Sequence, residues 1–404
     1  MSQMAAPPPP TKNRLPVYDT LRGVAILGIL LANIAAFGGP VGKDLVGLSV
    51  PMTPTEQWVD AGIIAFVTGK FRSMLAILFG VGMAMQYQKI VSSGGKWPGI
   101  YFRRTGWLAV IGLVHGVFFW FGDILLMYSV TALIACLFLQ VARPTLSLIV
   151  KVAGIIALSL GLMIGLGMPL LSDSMAPPWN IQREIEVFAT GTYLEQLQFR
   201  SLAFAMMVAS MTMMLLWLVP LFLLGALWCE AGILRKPSAH PKVVRTSLWV
   251  AFGVGLPIGL SSFYFASIGS SSALSMMAEL VLGPLMAPGY LVVVALMVEK
   301  RVFPRALAWL AQVGRVALTT YLGQTLICTA IFYSWGFGQF GELTYDQMMG
   351  VVAGVWLVNL IFAQVWLKYF DFGPVEWGWR SLTLKRVLPI RKRPEPELAP
   401  PPLI

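Results

Sequence analysis

Few residues in this chain are suited to acid–base chemistry, and one of them lies in an apolar setting. Of two histidines in 404 residues, His115 falls in the stretch VHGVFFWFGDILLMYS (114–129), eight residues before Asp123. An imidazole titrates near neutrality and suits proton transfer. An ionisable residue inside a membrane-length run is a functional candidate by default, because its burial is costly. Asn33, Lys70, Arg72 and Glu279 fall in other apolar runs, and His240, in RKPSAHPKVVR, reads as a solvated loop residue. Gly112 and Gly116 form a G-x-x-x-G beside His115, which permits close helix packing and gives the histidine a structural alternative as an interhelical hydrogen-bonding group.

The elements that must position these groups follow from composition. Hydrophobic residues make up 57% and charged residues 12%, about half the charge of a soluble domain. An all-α polytopic membrane protein is expected, since backbone groups in lipid must be paired internally, and alternating strands of barrel type are absent. The net charge of +11 lies mostly in short loops between apolar runs. It follows membrane orientation and gives no nucleic-acid footprint. Cys136, Cys229 and Cys328 lie in or beside apolar segments without C-x-x-C or His/Cys clustering, so no metal site is expected.

Runs of about 20 apolar residues predict ten spans, near 18–38, 61–87, 106–121, 124–141, 145–171, 202–229, 246–268, 273–298, 306–334 and 347–370. Residues 1–16 and 389–404 read as Pro-rich, disordered cytoplasmic tails. An N-terminal half covers 17–221 and a C-terminal region 222–388. Lys and Arg concentrate in alternate loops, which places both termini in the cytoplasm. The loop near 172–201 is then external, and Ile181, Ile185 and Phe188 recur at helical spacing within it, predicting a surface helix or lid.

At about 1.5 Å per residue, His115 lies about 9 Å and Asn33 about 8 Å inside the external edge. Lys70, Arg72 and Glu279 share that outer half and Asp123 sits at its edge, as one externally facing polar cavity requires. Lys70 and Arg72 are about 200° apart on a helix, so at most one faces such a cavity squarely and the other snorkels. Arg22 and Asn33, eleven residues apart, share a face of the first span, and Asp19 can pair with Arg22. Glu376 and Arg380, four apart in GPVEWGWRSLTLKRVL, can pair on a cytoplasmic interfacial helix.

The stretches YDTLRGVAILGILLANI, GKFRSMLAILFGVGMA, HGVFFWFGDILLMYSV, VPLFLLGALWCEAGIL, GRVALTTYLGQTL and GPVEWGWRSLT resemble the successive motifs of the YeiB-like family, domain of unknown function 418. The resemblance runs from about 14 to 388. That family in turn resembles the transmembrane acyltransferase superfamily, which includes the acyltransferase-3 proteins and the lysosomal heparan-glucosaminide acetyltransferase. Its members have ten or eleven spans and use cytoplasmic acyl-CoA to acylate an acceptor on the far side. In acyltransferase-3 proteins an Arg in the first span is followed eleven residues later by His. Here the Arg is Arg22 and the second position is Asn33, so His115 is the one intramembrane histidine left for that work.

The resemblance implies transfer of an acyl group, acetyl foremost, to a small-molecule, lipid or glycan acceptor, in a bacterial-type inner membrane. Arg22, Arg103, Arg104 or Arg315 would meet the phosphates of acyl-CoA, because the guanidinium fork matches phosphate. His115 would act as general base or carry the acyl group, Asn33 or Tyr321 would donate to the oxyanion, and Glu279 or Asp123 would orient the imidazole. Lys70 and Arg72 would meet the acceptor. No metal is implied, and a homodimer is admissible. The rival reading is a transporter or exporter of a small anionic metabolite, with Lys70, Arg72, His115 and Glu279 as a coupling site. Inverted repeats, which would favour it, are not found. A non-catalytic scaffold is the third reading.

Overall fold

The computed structural model describes residues 16–40, 53–171, 179–267 and 272–392. Both tails expected to be disordered, apart from Pro16 and residues 389–392, and the part of the external loop at 172–178 lie outside them. The protein is an all-α polytopic membrane protein. Among the described residues, seven helical stretches are long and apolar enough to cross a bilayer, and shorter apolar helices occupy Leu125–Gln140 and Ala317–Phe332.

The chain begins with α1 (Pro16–Gly38), α2 (Pro54–Phe66), α3 (Lys70–Ser92) and α4 (Ile100–Phe118). Helix α5 (Leu125–Ala135, tightening to a 3₁₀ turn at Cys136–Gln140), α6 (Arg143–Leu171), the short α7 (Ile181–Ala189) and the long α8 (Tyr193–Ala231) follow. Helix α9 (Pro241–Leu248) continues through a π segment, Trp249–Gly255, into α10 (Leu256–Ser267). Likewise α11 (Ser272–Met277) passes through a π segment, Ala278–Leu282, into α12 (Gly283–Glu299). The remaining helices are α13 (Pro304–Arg315), α14 (Ala317–Phe332), α15 (Tyr345–Tyr369) and α16 (Pro374–Leu384). Below, the basic end is the one carrying the Lys- and Arg-rich loops, and the distal end is opposite.

Two apolar runs divide, the second as its excess length implies and the ninth where a single rod was expected. The second breaks at 67–69, with Gly69 left-handed at φ 76°, a conformation that favours glycine. The ninth divides at Val316 into the amphipathic α13 and the apolar α14. The lid expected after 172 is α7. Asn180 caps it by accepting from the Arg183 N–H at 3.2 Å, and it buries Val187 and Phe188.

The core is organised by close backbone approach. A Cβ on Gly80 would lie 1.9 Å from the Phe222 carbonyl oxygen, and one on Gly225 would lie 1.9 Å from that of Ile77. Helices α3 and α8 therefore meet backbone to backbone through paired glycines, as membrane helices do where small residues allow it.

The interfacial helix also departs from expectation. Instead of resting in an i,i+4 pair with Arg380, the Glu376 carboxylate accepts from the N–H groups of Leu318 at 2.7 Å and Thr319 at 3.1 Å, and from the Thr319 hydroxyl. Glu376 thus caps α14, whose first N–H groups have no partner within the helix. Arg380 lies over the Phe372 ring at 4.5 Å. Burial pushes the Glu376 carboxyl up, against the hydrogen bonds that pull it down. Glu376→Ala is expected to cost about 1–2 kcal/mol, read as a lower thermal midpoint of the purified protein. An unchanged midpoint would show that the cap contributes nothing.

Candidate functional site

His115 sits in the last turn of α4, 3% exposed, and Asp123 is fully buried just before α5. The tight connection 119–124 turns the chain back so that His115 Nδ1 meets Asp123 Oδ2 at 2.7 Å. The other carboxylate oxygen accepts from the Leu126 N–H at 2.9 Å. Gly112 makes this fold-back possible, since a Cβ there would lie 2.4 Å from the Leu126 nitrogen and 2.8 Å from Asp123 Oδ1. Gly116, its partner in the G-x-x-x-G, faces Phe204 of α8.

The other imidazole nitrogen is also engaged. His115 Nε2 lies 3.0 Å from the hydroxyl oxygen of Thr325, which is 1% exposed on α14. A carboxylate on Nδ1 makes that nitrogen the donor, which leaves Nε2 as the acceptor toward the hydroxyl. Tyr321, one turn before Thr325, places its ring 5.3 Å from the imidazole, and its oxygen accepts from the Ile124 N–H at 3.3 Å. Carboxylate, imidazole and hydroxyl therefore stand in line inside the bundle, in the order of an orienting acid, a base and an alcohol. Sequence reading missed Thr325. Its one signal is the i,i+4 spacing from Tyr321 in TTYLGQT.

The other groups expected in the outer half have partners of their own. Arg72 and Glu279 form an ion pair, with Glu279 inside the π segment before α12. Lys70 is fully buried, and its ammonium donates to the Ile64 carbonyl at 2.7 Å. It thus satisfies a carbonyl freed where α2 stops. Tyr128 of α5 adjoins this group through its hydroxyl, which donates to the Arg72 carbonyl at 2.6 Å. Asn33 is half-buried on α1, beside Ile34, which packs in a cluster with Trp120 and Cys328.

At the basic end, Arg22 pairs with Asp19 at 3.1 Å, and α13 crosses α1 there with Gly314 against the Asp19 carbonyl. Arg104 lies over the Trp379 ring at 3.7 Å, and its carbonyl accepts from the Trp379 indole at 2.7 Å. Arg22 and Arg380 both bear electrostatically on Arg104. Arg103 donates to the Thr383 carbonyl, and Arg315 donates to Gln312 at 3.2 Å. The arginines expected at one end do gather there, around α1, α4, α13 and α16. Among the described residues no cluster of His, Cys, Asp and Glu could hold a metal ion.

Residues 228–386 match the family model described as "Protein of unknown function (DUF418)". The chain is 34% identical over 386 residues to the "Uncharacterized protein YeiB" of Escherichia coli (strain K12), covering 92% of this chain and 96% of that one. It is 29% identical over 414 residues to the "Uncharacterized protein YxaH" of Bacillus subtilis (strain 168), covering 95% and 97%. No solved structure matches. With this identity sustained over nearly its whole length, the chain belongs to the YeiB (DUF418) family of membrane proteins.

Proposed function

We propose that this protein is a transmembrane acyltransferase of a bacterial plasma membrane, moving an acyl group from cytoplasmic acyl-CoA to an acceptor on the external side. The observation that supports this best is the buried line Asp123–His115–Thr325. With Nδ1 held by the carboxylate, Nε2 takes a proton from an acceptor hydroxyl or amine as that group attacks the thioester carbon. The carbon–sulfur bond then breaks, and the proton passes from the imidazole to the departing thiolate. The Thr325 hydroxyl marks where the acceptor presents its own. Tyr321, whose ring lies beside the imidazole, is the donor assigned here to the oxyanion, and Asn33 of α1 is the alternative.

The arginine group at the basic end supplies the complementary half, a place for the phosphates of acyl-CoA. Arg22 is the cleanest test. Arg22→Gln is expected to raise the KM for acetyl-CoA about tenfold with kcat nearly unchanged, the pattern of lost uniform binding. A fall in kcat with KM unchanged would remove Arg22 from the binding role.

The helix break at 67–69 is a feature that transport sites also use. Here Lys70 places its own ammonium on the α2 carbonyl, where a coupling cation would stand, and Arg72 is paired with Glu279. Both details favour transfer over transport. The deciding experiment measures acetyl-CoA binding and thiol release by purified protein, with His115→Ala beside it. Wild-type protein that neither binds nor turns over any acyl-CoA would end this reading.

A further inference from the structure

Arg200 of α8 is fully buried, yet its charge is unspent. Its NH1 reaches Gln196 Oε1 at 3.5 Å, and Nε and NH2 have no partner. Among the described residues Arg200 forms no ion pair. Its other partner is Tyr193, whose ring lies 5.0 Å away and whose hydroxyl is within weak hydrogen-bonding reach of the guanidinium. A buried cation without a counter-ion is destabilising unless something compensates it. The buried carboxylate nearest in the chain, Glu184, accepts from the Trp179 indole at 2.6 Å and lies within electrostatic reach of the Tyr333 hydroxyl, but it forms no ion pair with Arg200.

A second group at the same place is equally unspent. Tyr333, which ends α14, is fully buried with its hydroxyl unpartnered, and it lies within electrostatic reach of Arg200. Helix α7 roofs this position, with Phe188 on the Tyr333 ring at 4.6 Å. Its floor leads to the imidazole. Phe204, one turn along α8 from Arg200, packs on Gly116 beside His115. Thr325 and Tyr333 are eight residues apart on α14, about 12 Å along the axis.

We propose that Arg200, with the Tyr333 hydroxyl, binds an oxyanion, a carboxylate or phosphate, reaching the distal end beneath α7. The guanidinium offers two free nitrogens to such a group and the phenol a further donor. If the acyl-transfer reading holds, the ligand is the acceptor. It would carry its anionic group about 12 Å outward of the hydroxyl or amine presented to His115, as a phosphorylated or carboxylated polyol or a lipid headgroup does. The anion site itself does not depend on that reading.

The test uses the full chain in phosphatidylcholine nanodiscs, following its thermal midpoint as inorganic phosphate is titrated at constant ionic strength. A second arm replaces the phosphate with phosphatidylglycerol in the disc. Wild-type protein is expected to gain several degrees, saturably, in at least one arm, and the arm identifies a free or a lipid-borne anion. Arg200→Gln is expected to show no saturable gain. Tyr333→Phe, which keeps the charge and the packing, is expected to raise the half-saturating concentration about tenfold. No saturable gain in either arm, the same gain in Arg200→Gln, or an unchanged half-saturation in Tyr333→Phe would overturn the proposal. A saturable gain in protein that turns over no acyl-CoA would leave the anion site standing and remove only its acceptor.

Discussion

His115→Ala is expected to reduce acyl-CoA turnover by at least roughly 10²–10⁴-fold, the usual contribution of a positioned base. Asp123→Asn is expected to fall nearly as far. An amide on Nδ1 no longer fixes that nitrogen as the donor or stabilises the imidazolium, and comparable changes in serine hydrolases cost about 10⁴ in kcat. Thr325→Val is expected to stay within about tenfold of wild type, because in this mechanism the acceptor displaces the threonine hydroxyl from Nε2. Thiol release measured across the three variants checks the assignment. Full activity in His115→Ala would remove the base, and total loss in Thr325→Val would make the threonine hydroxyl a participant in its own right.

The second large effect is structural. Gly225→Ala and Gly80→Ala each place a methyl 1.9 Å from a backbone carbonyl oxygen, and a backbone, unlike a flexible side chain, cannot swing aside. Each is expected to cost about 3 kcal/mol, the upper end of overpacking penalties. The measurement is the thermal midpoint and the yield of monodisperse protein in detergent. The double variant is expected to lose less than the sum, since both methyls force apart the same crossing of α3 and α8. A midpoint within a degree of wild type for either single variant would mean that the helices separate at little cost.

The apolar runs located the spanning helices because burial in lipid leaves a compositional mark some 20 residues long. His115 stood out for the same reason in reverse, as an ionisable group inside such a run. Its partners were harder to read. Asp123 is eight residues on and across a turn, and the geometry of that turn depends on Gly112 letting α5 approach α4. Thr325 is 210 residues away on a helix where a threonine draws no notice. The individual partners of the outer-half charges could not be read, because depth alone does not fix azimuth. Arg72 and Glu279 found each other, and Lys70 turned to a carbonyl left open by a break in its own chain. The ninth run hid its division at Val316, where an amphipathic period passes into an apolar one and Gly314, the nearest breaker, falls inside the last turn of α13. Glu376 had an obvious partner four residues on, and local spacing gave no sign of the helix end it caps.

That cap has a consequence for the imidazole. Helix α14 is seated at both ends, by the Glu376 carboxylate at its first turn and by the aromatic packing of Tyr333 at its last. Between these anchors it carries Tyr321 and Thr325. A slip of one residue along such a rod is a screw motion of about 1.5 Å and 100°, enough to turn the Thr325 hydroxyl away from Nε2 altogether. Two remote fastenings therefore set the tolerance of a contact that neither touches, and loosening the interfacial helix would detune the site without altering any residue in it.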